Sequence, residues 1–193
     1  MVSHQENTKN FTSTNAFERS TVMNYSHLTT ERLRLRKPTH SDLDDLFAVH
    51  SDPKTNAFNP AGAHTSLEQS REMLESWLTL WNEYGFGYWT VIKKDSPETV
   101  LGFGGLSLKE VEGEVLPNLY FRFSPAAWGK GYASEMGRAA LEVGCTLLNY
   151  DEIVASVRPD NAPSVGLLER LGLEKYGEVK DQYRLSYLYK WTC

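Results

Sequence analysis

Apolar residues in the first half of the chain recur every three to four positions in two segments. Residues 43–50 and residues 67–81 follow this period, which is typical of helices that bury one face. Ser41 and Asp42 precede the first segment, and Thr65 and Ser66 precede the second, where each can cap a helix. The pattern predicts two successive helices.

From residue 88 the apolar period drops to two, which is typical of strands with one buried face. Residues 88–92, 100–108 and 119–123 follow it, and the turn sequences between them predict an antiparallel meander. The glycine-rich residues 102–105 lie inside the second strand with no helix after them. A bulge or close packing therefore explains them better than a phosphate loop.

The helical period returns at Tyr132 and is followed by a strand, a helix that ends at Gly172 and two closing strands. The predicted order is a strand, two helices, three strands, a helix, a strand, a helix and two strands. This order predicts an α/β (α+β) protein with a mixed, mostly antiparallel sheet of about seven strands, flanked by about four helices.

Residues 1–28 differ from the rest of the chain because they are rich in Ser, Thr, Asn and Gln and poor in aliphatic residues. They predict a polar N-terminal extension. Leu33 and Leu35 alternate with arginines, so the fold is expected to start near Thr30. The 193 residues suit one folded domain, which we place at residues 29–193.

Neither a membrane span nor a secretion signal is evident in the sequence, which predicts a cytoplasmic protein. In a reducing compartment Cys145 and Cys193 are not expected to form a disulfide, and Cys145 is expected to be a small core residue. The net charge of −5 disfavours nonspecific nucleic-acid binding and is compatible with a cationic ligand. His50 lies on an apolar helix face and is expected to be a packed core residue.

The most informative chemical motif connects a strand to a helix. It reads Trp128-Gly129-Lys130-Gly131-Tyr132-Ala133. Free N–H groups and the dipole at a helix N terminus attract anions, and glycines let a phosphate approach the backbone. A P-loop is excluded because Gly131 follows Lys130, and Ser134 replaces the third glycine of a dinucleotide fingerprint. The motif predicts a phosphate cradle, with a tight turn that only starts a helix as the alternative.

Three blocks of sequence occur in a fixed order along the chain. The first is residues 30–36, Thr-Glu-Arg-Leu-Arg-Leu-Arg, and the last joins Asn161-Ala162-Pro163-Ser164 to residues 168–173. The middle block consists of Pro125, Trp128, Gly129, Gly131, Tyr132, Ala133 and Glu135. Together the blocks resemble the GNAT superfamily of N-acetyltransferases, in particular the branch that acetylates ribosomal proteins and protein N termini.

The resemblance implies a GNAT fold in which the fourth and fifth strands of the family splay apart and acetyl-CoA binds in the gap. The implied cofactor-binding residues are the main chain of Phe121, Arg122 and Phe123 for pantetheine, the cradle of Trp128, Gly129, Lys130, Gly131, Tyr132, Ala133 and Ser134 for the pyrophosphate, and Asn161 for the pantetheine amides. Asn161 is equally placed to cap the following helix.

The resemblance also implies a proton donor for the departing thiolate. Many relatives carry a tyrosine at the position of Leu168, so that donor is absent here. Ser164 lies four residues earlier on the same helix face, and the matching serine is the donor in the ribosomal-protein branch. We expect Ser164 to be the catalytic residue, with an ordinary first-turn position as the alternative.

The general base is not defined by the sequence. Relatives often have a glutamate where this chain has Asn118, which cannot take a proton. Glu114, His64 and Asp181 are candidates that act through water, or the amine arrives deprotonated. Asn118, Tyr120 and His64 are the expected substrate-side residues.

The implied activity is transfer of an acetyl group from acetyl-CoA to a primary amine by direct attack in a ternary complex. A protein N-terminal α-amine is the favoured acceptor. A small-molecule amine is the enzymatic alternative, and a CoA-binding module without turnover is the alternative of another class. No metal, nucleic acid or membrane partner is expected, and the protein is expected to be a monomer or homodimer.

Overall fold

A computed structural model describes residues 25–59, 61–111, 113–180 and 184–193, which form one mixed sheet with four α-helices. The strands are β1 (His27–Thr29), β2 (Leu33–Arg36), β3 (Tyr88–Lys93), β4 (Ser96–Val111), β5 (Glu114–Phe123), β6 (Glu152–Val157), β7 (Glu174–Lys180) and β8 (Leu185–Thr192), and the helices are α1 (Leu43–Ser51), α2 (Leu67–Tyr84), α3 (Tyr132–Glu142) and α4 (Ala162–Leu171). The predicted fold class is confirmed, with eight strands in the described ranges instead of about seven.

The sheet is antiparallel except at its centre. Its strands lie in the order β1-β2-β3-β4-β5-β6-β8-β7, and β5 and β6 run parallel. These two strands are bridged at one residue pair of the described chain, Asn118 with Val154. Their carboxyl-terminal halves are therefore not paired with each other. Because β2 is the first of the predicted strands, β5 and β6 are the fourth and fifth strands of the family, and the expected splay is confirmed.

Different helices cover the two faces of the sheet. On one face α3 and α4 pack together and bury Met136 and Leu168. On the other face α1 packs on α2, and Leu74 and Phe103 are buried there. Successive side chains of a strand point to opposite faces, so β5 contributes side chains to both layers.

The starts of α1 and α2 are fixed by side chains near the predicted caps. The Asp42 carboxylate accepts hydrogen bonds from Arg36 at 2.5 Å and from the N–H of Thr39 at 2.8 Å. Ser66 caps α2 by accepting a hydrogen bond from the N–H of Gln69 at 3.4 Å. Of the helices in the described ranges, none is both long and apolar enough to cross a membrane.

The glycines of β4 allow close packing, as the sequence predicts. A Cβ atom on Gly104 would stand 2.7 Å from the carbonyl oxygen of Tyr120 and 2.5 Å from the methyl carbon of Met136. The register between β3 and β4 also shifts after Val91, which marks a bulge. These glycines bring the strands and α3 together and form no phosphate loop.

The sheet begins earlier than Thr30. β1 pairs with β2, and the Trp89 Nε1–H donates to the carbonyl oxygen of Tyr25 at 2.9 Å. The sheet thus includes residues that the composition assigns to the 1–28 extension. Three residues are too few to display an apolar period, so β1 leaves little signal in the sequence.

The expectation that the cysteines stay unpaired is wrong, because Cys145 and Cys193 form a disulfide across 48 positions of sequence. The end of β8 runs beside the segment after α3, and the Cys193 N–H donates to the carbonyl oxygen of Asp151 at 2.9 Å. This brings the two Cα atoms to 5.3 Å, within the range that a disulfide spans. Spacing along the chain does not reveal this approach.

Candidate functional site

The glycine motif forms the connection between β5 and α3. Gly129 and Gly131 adopt φ angles of 71° and 79°, in the left-handed region that favours glycine. α3 begins at Tyr132, and none of the described side chains caps its N terminus. The first N–H groups of the helix therefore lie at an end suited to an anion.

Glu135 in the first turn of α3 ties this cradle to the start of the sheet. Its carboxylate accepts hydrogen bonds from the Thr30 hydroxyl at 2.5 Å and from the N–H and Nε–H of Arg32, both at 2.7 Å. Arg32 Nη1 also donates to the carbonyl oxygen of Lys130 at 2.9 Å. Burial raises the pKa of Glu135, but the hydrogen bonds outweigh burial and lower that pKa. The ionised carboxylate holds the cradle in place.

α3 and α4 begin at the same edge of the sheet. β5 and β6 are parallel, so their carboxyl ends lie side by side, and each leads into one of these helices. Ligands of open α/β sheets bind outside the carboxyl ends of strands where neighbouring connections diverge. The splay therefore brings the cradle, the main chain of residues 121–123 and the start of α4 to one crevice.

Asn161 and Ser164 lie at the start of α4. The Asn161 Oδ1 accepts a hydrogen bond from the Ser164 N–H at 3.3 Å, so Asn161 is the helix cap. Ser164 occupies the first turn and is half-buried. Leu168, one turn later, is buried in the core. Both predicted residues thus lie at the edge that carries the cradle.

Asn118 lies at the point where β5 and β6 separate. Its side chain is buried, and its Nδ2 donates to the carbonyl oxygen of Leu119 at 3.3 Å. Its Oδ1 is buried and has no hydrogen-bond partner among the described residues. A buried acceptor without a donor is costly, which marks this position for a ligand or an ordered water.

A pocket of about 440 Å³ opens on the opposite face of the sheet, between β5, α2 and the loop before α2. Its lining residues are Asn59, Ala61, Gly62, Ala63, His64, Gln69, Met73, Trp77, Tyr88, Tyr120 and Arg122. The volume suits a small ligand or the end of a peptide. Tyr120 and Arg122 place the pocket on β5, the strand that also borders the crevice.

Hydrogen bonds define the proton positions of His50 and Tyr120. His50 is fully buried, and its Nδ1 lies 2.9 Å from the carbonyl oxygen of Leu46, which can only accept. Burial and the nearby Arg122 charge lower the pKa of His50 to about 3, so the ring is neutral with its proton on Nδ1. Its Nε2 must accept from the Tyr120 hydroxyl at 3.0 Å. The phenol oxygen therefore keeps its lone pairs for a donor in the pocket.

His64 is the predicted base candidate that the structure places in the pocket. Its Nδ1 lies 2.7 Å from the Ser70 hydroxyl. Burial and the Arg122 charge lower the pKa of His64, which keeps the imidazole neutral at neutral pH. Glu114 is exposed at the start of β5, far along the strand from Tyr120, and Asp181 lies outside the described residues.

The comparisons with known proteins agree with this geometry. The sequence model of an acetyltransferase (GNAT) domain matches residues 32–174. The uncharacterized N-acetyltransferase p20 of Bacillus licheniformis is 33% identical over 154 residues, which are 80% of this chain and 85% of that protein. The chain is a GNAT acetyltransferase.

Among the solved structures that share this GNAT fold, several have names that state a substrate, and two are examples. A ribosomal-protein-S5-alanine acetyltransferase from Vibrio fischeri has a TM-score of 0.71 and 18% identity, over 86% of this chain and 96% of that one. A spermidine N-acetyltransferase from Vibrio cholerae, solved with CoA and spermine, has a TM-score of 0.68 and 18% identity, over 84% and 96%. At this identity they show the fold alone.

GNAT acetyltransferases use acetyl-CoA, and the glycines of the cradle leave room for the phosphates of such a ligand. A Cβ at Gly129 would meet nothing within 4 Å, and Gly131 is bordered only by the Arg32 guanidinium, at 3.3 Å. The cradle is thus open to an anion, and the Arg32 guanidinium that borders it is ion-paired with Glu135. In the described ranges, no group of three His, Cys, Asp or Glu side chains is placed to hold a metal ion.

Several pocket residues of this GNAT acetyltransferase are missed by the sequence patterns. Met73 and Trp77 lie on the apolar face of α2, where the helical period assigns them to the core. Trp77 does belong to a buried cluster, but one edge of it reaches the pocket. The two-residue period of β5 is the signal that could have identified Arg122, because it places Arg122 on the same face as Tyr120.

Proposed function

We propose that this protein transfers the acetyl group of acetyl-CoA to the α-amine at the N terminus of a protein or peptide. The carrying observation is that β5 borders two openings: the crevice with the phosphate cradle on one side and the aromatic pocket on the other. A donor and an acceptor that enter from the two sides meet at this strand. Direct attack in a ternary complex follows from that arrangement.

The cradle residues 128–134 hold the pyrophosphate by their N–H groups, and the main chain of Phe121, Arg122 and Phe123 pairs with the pantetheine. Beyond the bridge at Asn118, this edge of β5 has no partner strand among the described residues. Asn161 borders the same crevice while it caps α4. When bound, acetyl-CoA supplies the activated acetyl group as a thioester.

On the acceptor side, the Tyr120 oxygen accepts a hydrogen bond from the incoming amine, because its own proton is donated to His50. The Oδ1 of Asn118 accepts a second one directly or through water. Burial raises the pKa of Tyr120, so its phenol stays protonated and is not the base. His64 takes the ammonium proton through water, since it is neutral and lines the pocket.

Ser164 donates the proton that the departing thiolate needs. It lies in the first turn of α4, at the edge of the sheet that carries the cradle. A thiolate whose parent thiol has a pKa of about 8.5 demands little of its donor, and a water molecule can relay the proton. The alternative acceptor, a small-molecule amine, uses the same residues.

Two measurements test the proposed activity. Acetyl-CoA at a hundredfold excess over its dissociation constant should stabilise the protein by about 2.7 kcal/mol, read as a thermal shift. A panel of peptides and small amines should then identify an acceptor by release of the CoA thiol. Thermal stabilisation without thiol release for any amine would leave a CoA-binding module and contradict the proposed transfer.

Ser164→Ala separates chemistry from structure. If the hydroxyl protonates the thiolate, the catalytic rate should fall about 10²-fold while acetyl-CoA affinity stays nearly unchanged. Asn161→Ala is the matched variant one turn earlier, and loss of a cap should cost about 1 kcal/mol of stability. Turnover of Ser164→Ala at the parent rate across the pH range would assign the proton to water or another residue.

A further inference from the structure

The pocket on the α1 and α2 side of the sheet has a distinctive charge. Its described lining includes no Asp or Glu, and Arg122 is its single Arg or Lys. Its one histidine, His64, has a lowered pKa, so it adds no positive charge at neutral pH. The pocket is therefore cationic, although the whole chain carries a net charge of −5.

The Arg122 guanidinium is held in position by a hydrogen bond to an uncharged side chain, that of Asn56. Its Nη1 donates to the Oδ1 of Asn56 at 2.7 Å, and it forms no ion pair with a described residue. Asn56 is buried, and its Nδ2 donates to the carbonyl oxygen of His50 at 2.8 Å and to that of Asp52 at 2.9 Å. The loop before α2 thus fixes the guanidinium and leaves its charge uncompensated.

A guanidinium has five N–H donors in a planar fork, and the bond to Asn56 uses one of them. The remaining donors suit a carboxylate, which accepts two parallel hydrogen bonds from such a fork. Arg122 and Tyr120 lie two residues apart on the same face of β5, a spacing of about 7 Å along a strand. Tyr120 is the residue that receives the amine in the proposed reaction.

We propose that Arg122 selects acceptors that carry a carboxylate in addition to the reacting amine. The inference rests on the proposed acetyl transfer and specifies its substrate class. An acidic side chain near the start of a peptide and a free amino acid with a side-chain carboxylate both supply this chemistry. A polyamine places a second cation in a pocket whose described lining offers no carboxylate to receive it.

The test compares matched acids and amides. Peptides that differ only by Asp or Asn, or Glu or Gln, at the second residue are one arm, and free aspartate and glutamate with their amides are the other. Spermidine is the cationic probe. Binding to the CoA-loaded protein is measured by calorimetry, and kcat/KM is measured by thiol release. The binding measurement decides the inference even if no amine is acetylated.

The expected preference of the wild-type protein for an acid over its amide is about 30-fold, as for a charge pair that loses one partner. Arg122→Gln should bring this ratio close to one, mainly through KM, and Arg122→Lys should restore part of it. Arg122→Glu should shift the preference toward spermidine. Arg34→Gln, which removes an exposed arginine of β2 outside the pocket, should leave the ratio unchanged.

If only the peptides show a preference for the acid over the amide, the carboxylate belongs to a peptide side chain. If only the free amino acids show it, the carboxylate belongs to a free amino acid. Equal binding of acids and amides, tighter binding of spermidine or no binding of any acid would overturn the inference. Acetylation of amines without regard to charge would also overturn it while the proposed transfer stands. Selective binding of acids without acetylation of any amine would support the carboxylate site and contradict the proposed transfer.

Discussion

His50 and Tyr120 show how single buried residues set the polarity of the pocket. The carbonyl oxygen of Leu46 determines that Nδ1 of His50 carries the proton. Nε2 is then an acceptor, so the Tyr120 hydroxyl must donate its hydrogen to His50. The consequence is a phenol oxygen that can accept but not donate toward the pocket. The apolar helix face predicts that His50 is a packed core residue, which its complete burial confirms.

The buried histidine makes stability depend on pH. The folded pKa of His50 is about 3, below the ordinary value of 6.5, so the unfolded chain binds a proton in this window that the folded chain does not. Stability should therefore fall as pH falls from 6.5, by up to about 1.4 kcal/mol for each pH unit. Urea unfolding between pH 7 and pH 4 should show this slope in the wild type and a shallower one in His50→Gln.

Tyr120→Phe is the matched control for that experiment. It removes the hydrogen bond but keeps the imidazole buried, so it should lower stability by about 1–3 kcal/mol with the steep pH dependence retained. Identical slopes in the wild type and His50→Gln would show that His50 does not titrate in this window.

Among the secondary-structure elements, β5 connects the two halves of the site. One face of the strand contributes Leu119 and Phe123 to the core under α3 and α4, and the other face contributes Tyr120 and Arg122 to the pocket. The strand leads directly into the cradle. A single element thus links the position of the cradle to that of the proposed acceptor pocket.

The start of α3 provides the sharpest test of cofactor binding. Gly131→Asp should abolish the thermal shift caused by acetyl-CoA, because a carboxylate in the cradle repels a phosphate. Gly113→Asp is the matched control: Gly113 also has a positive φ, of 88°, and open space, but it lies in the turn between β4 and β5. Gly131→Ala separates backbone strain from charge. A full shift with Gly131→Asp would rule out the cradle as the phosphate site.

Local patterns predict those elements whose signal is local. The two-residue period identifies β3 to β5, and the glycines at 129 and 131 mark the start of α3 in the sequence itself. β1 and the role of Trp77 are not predictable in this way. A three-residue strand has no period, and an aromatic residue on an apolar helix face has the same pattern whether it lines a pocket or fills the core.

The whole molecule combines two parallel strands with an otherwise antiparallel sheet. The parallel pair β5 and β6 sends α3 and α4 to one face, while α1 and α2 cover the other. Long-range pairing creates both the crevice and the pocket, so neither can be derived from the spacing of residues alone. The resemblance of the three sequence blocks to a family predicts what the patterns cannot, because the members of a family share one arrangement of strands.

The disulfide closes the carboxyl-terminal part of this arrangement. It joins Cys145, after α3, to Cys193 at the end of β8, and the closed loop contains β6, α4, β7 and β8. A cross-link over 48 positions restricts the unfolded chain, so its removal should lower the free energy of unfolding by about 2–4 kcal/mol.

Urea unfolding with and without a thiol reductant measures this contribution. The reductant should lower the unfolding midpoint of the wild type to that of Cys193→Ser and should leave the midpoint of Cys193→Ser unchanged. Acetyl-CoA should still stabilise both proteins, because the cradle lies outside the closed loop and is held by Glu135, Thr30 and Arg32. The wild-type midpoint could instead be unaffected by the reductant and equal to that of Cys193→Ser. The two cysteines would then be unpaired in solution, and the fold would form without the disulfide, as expected from the sequence.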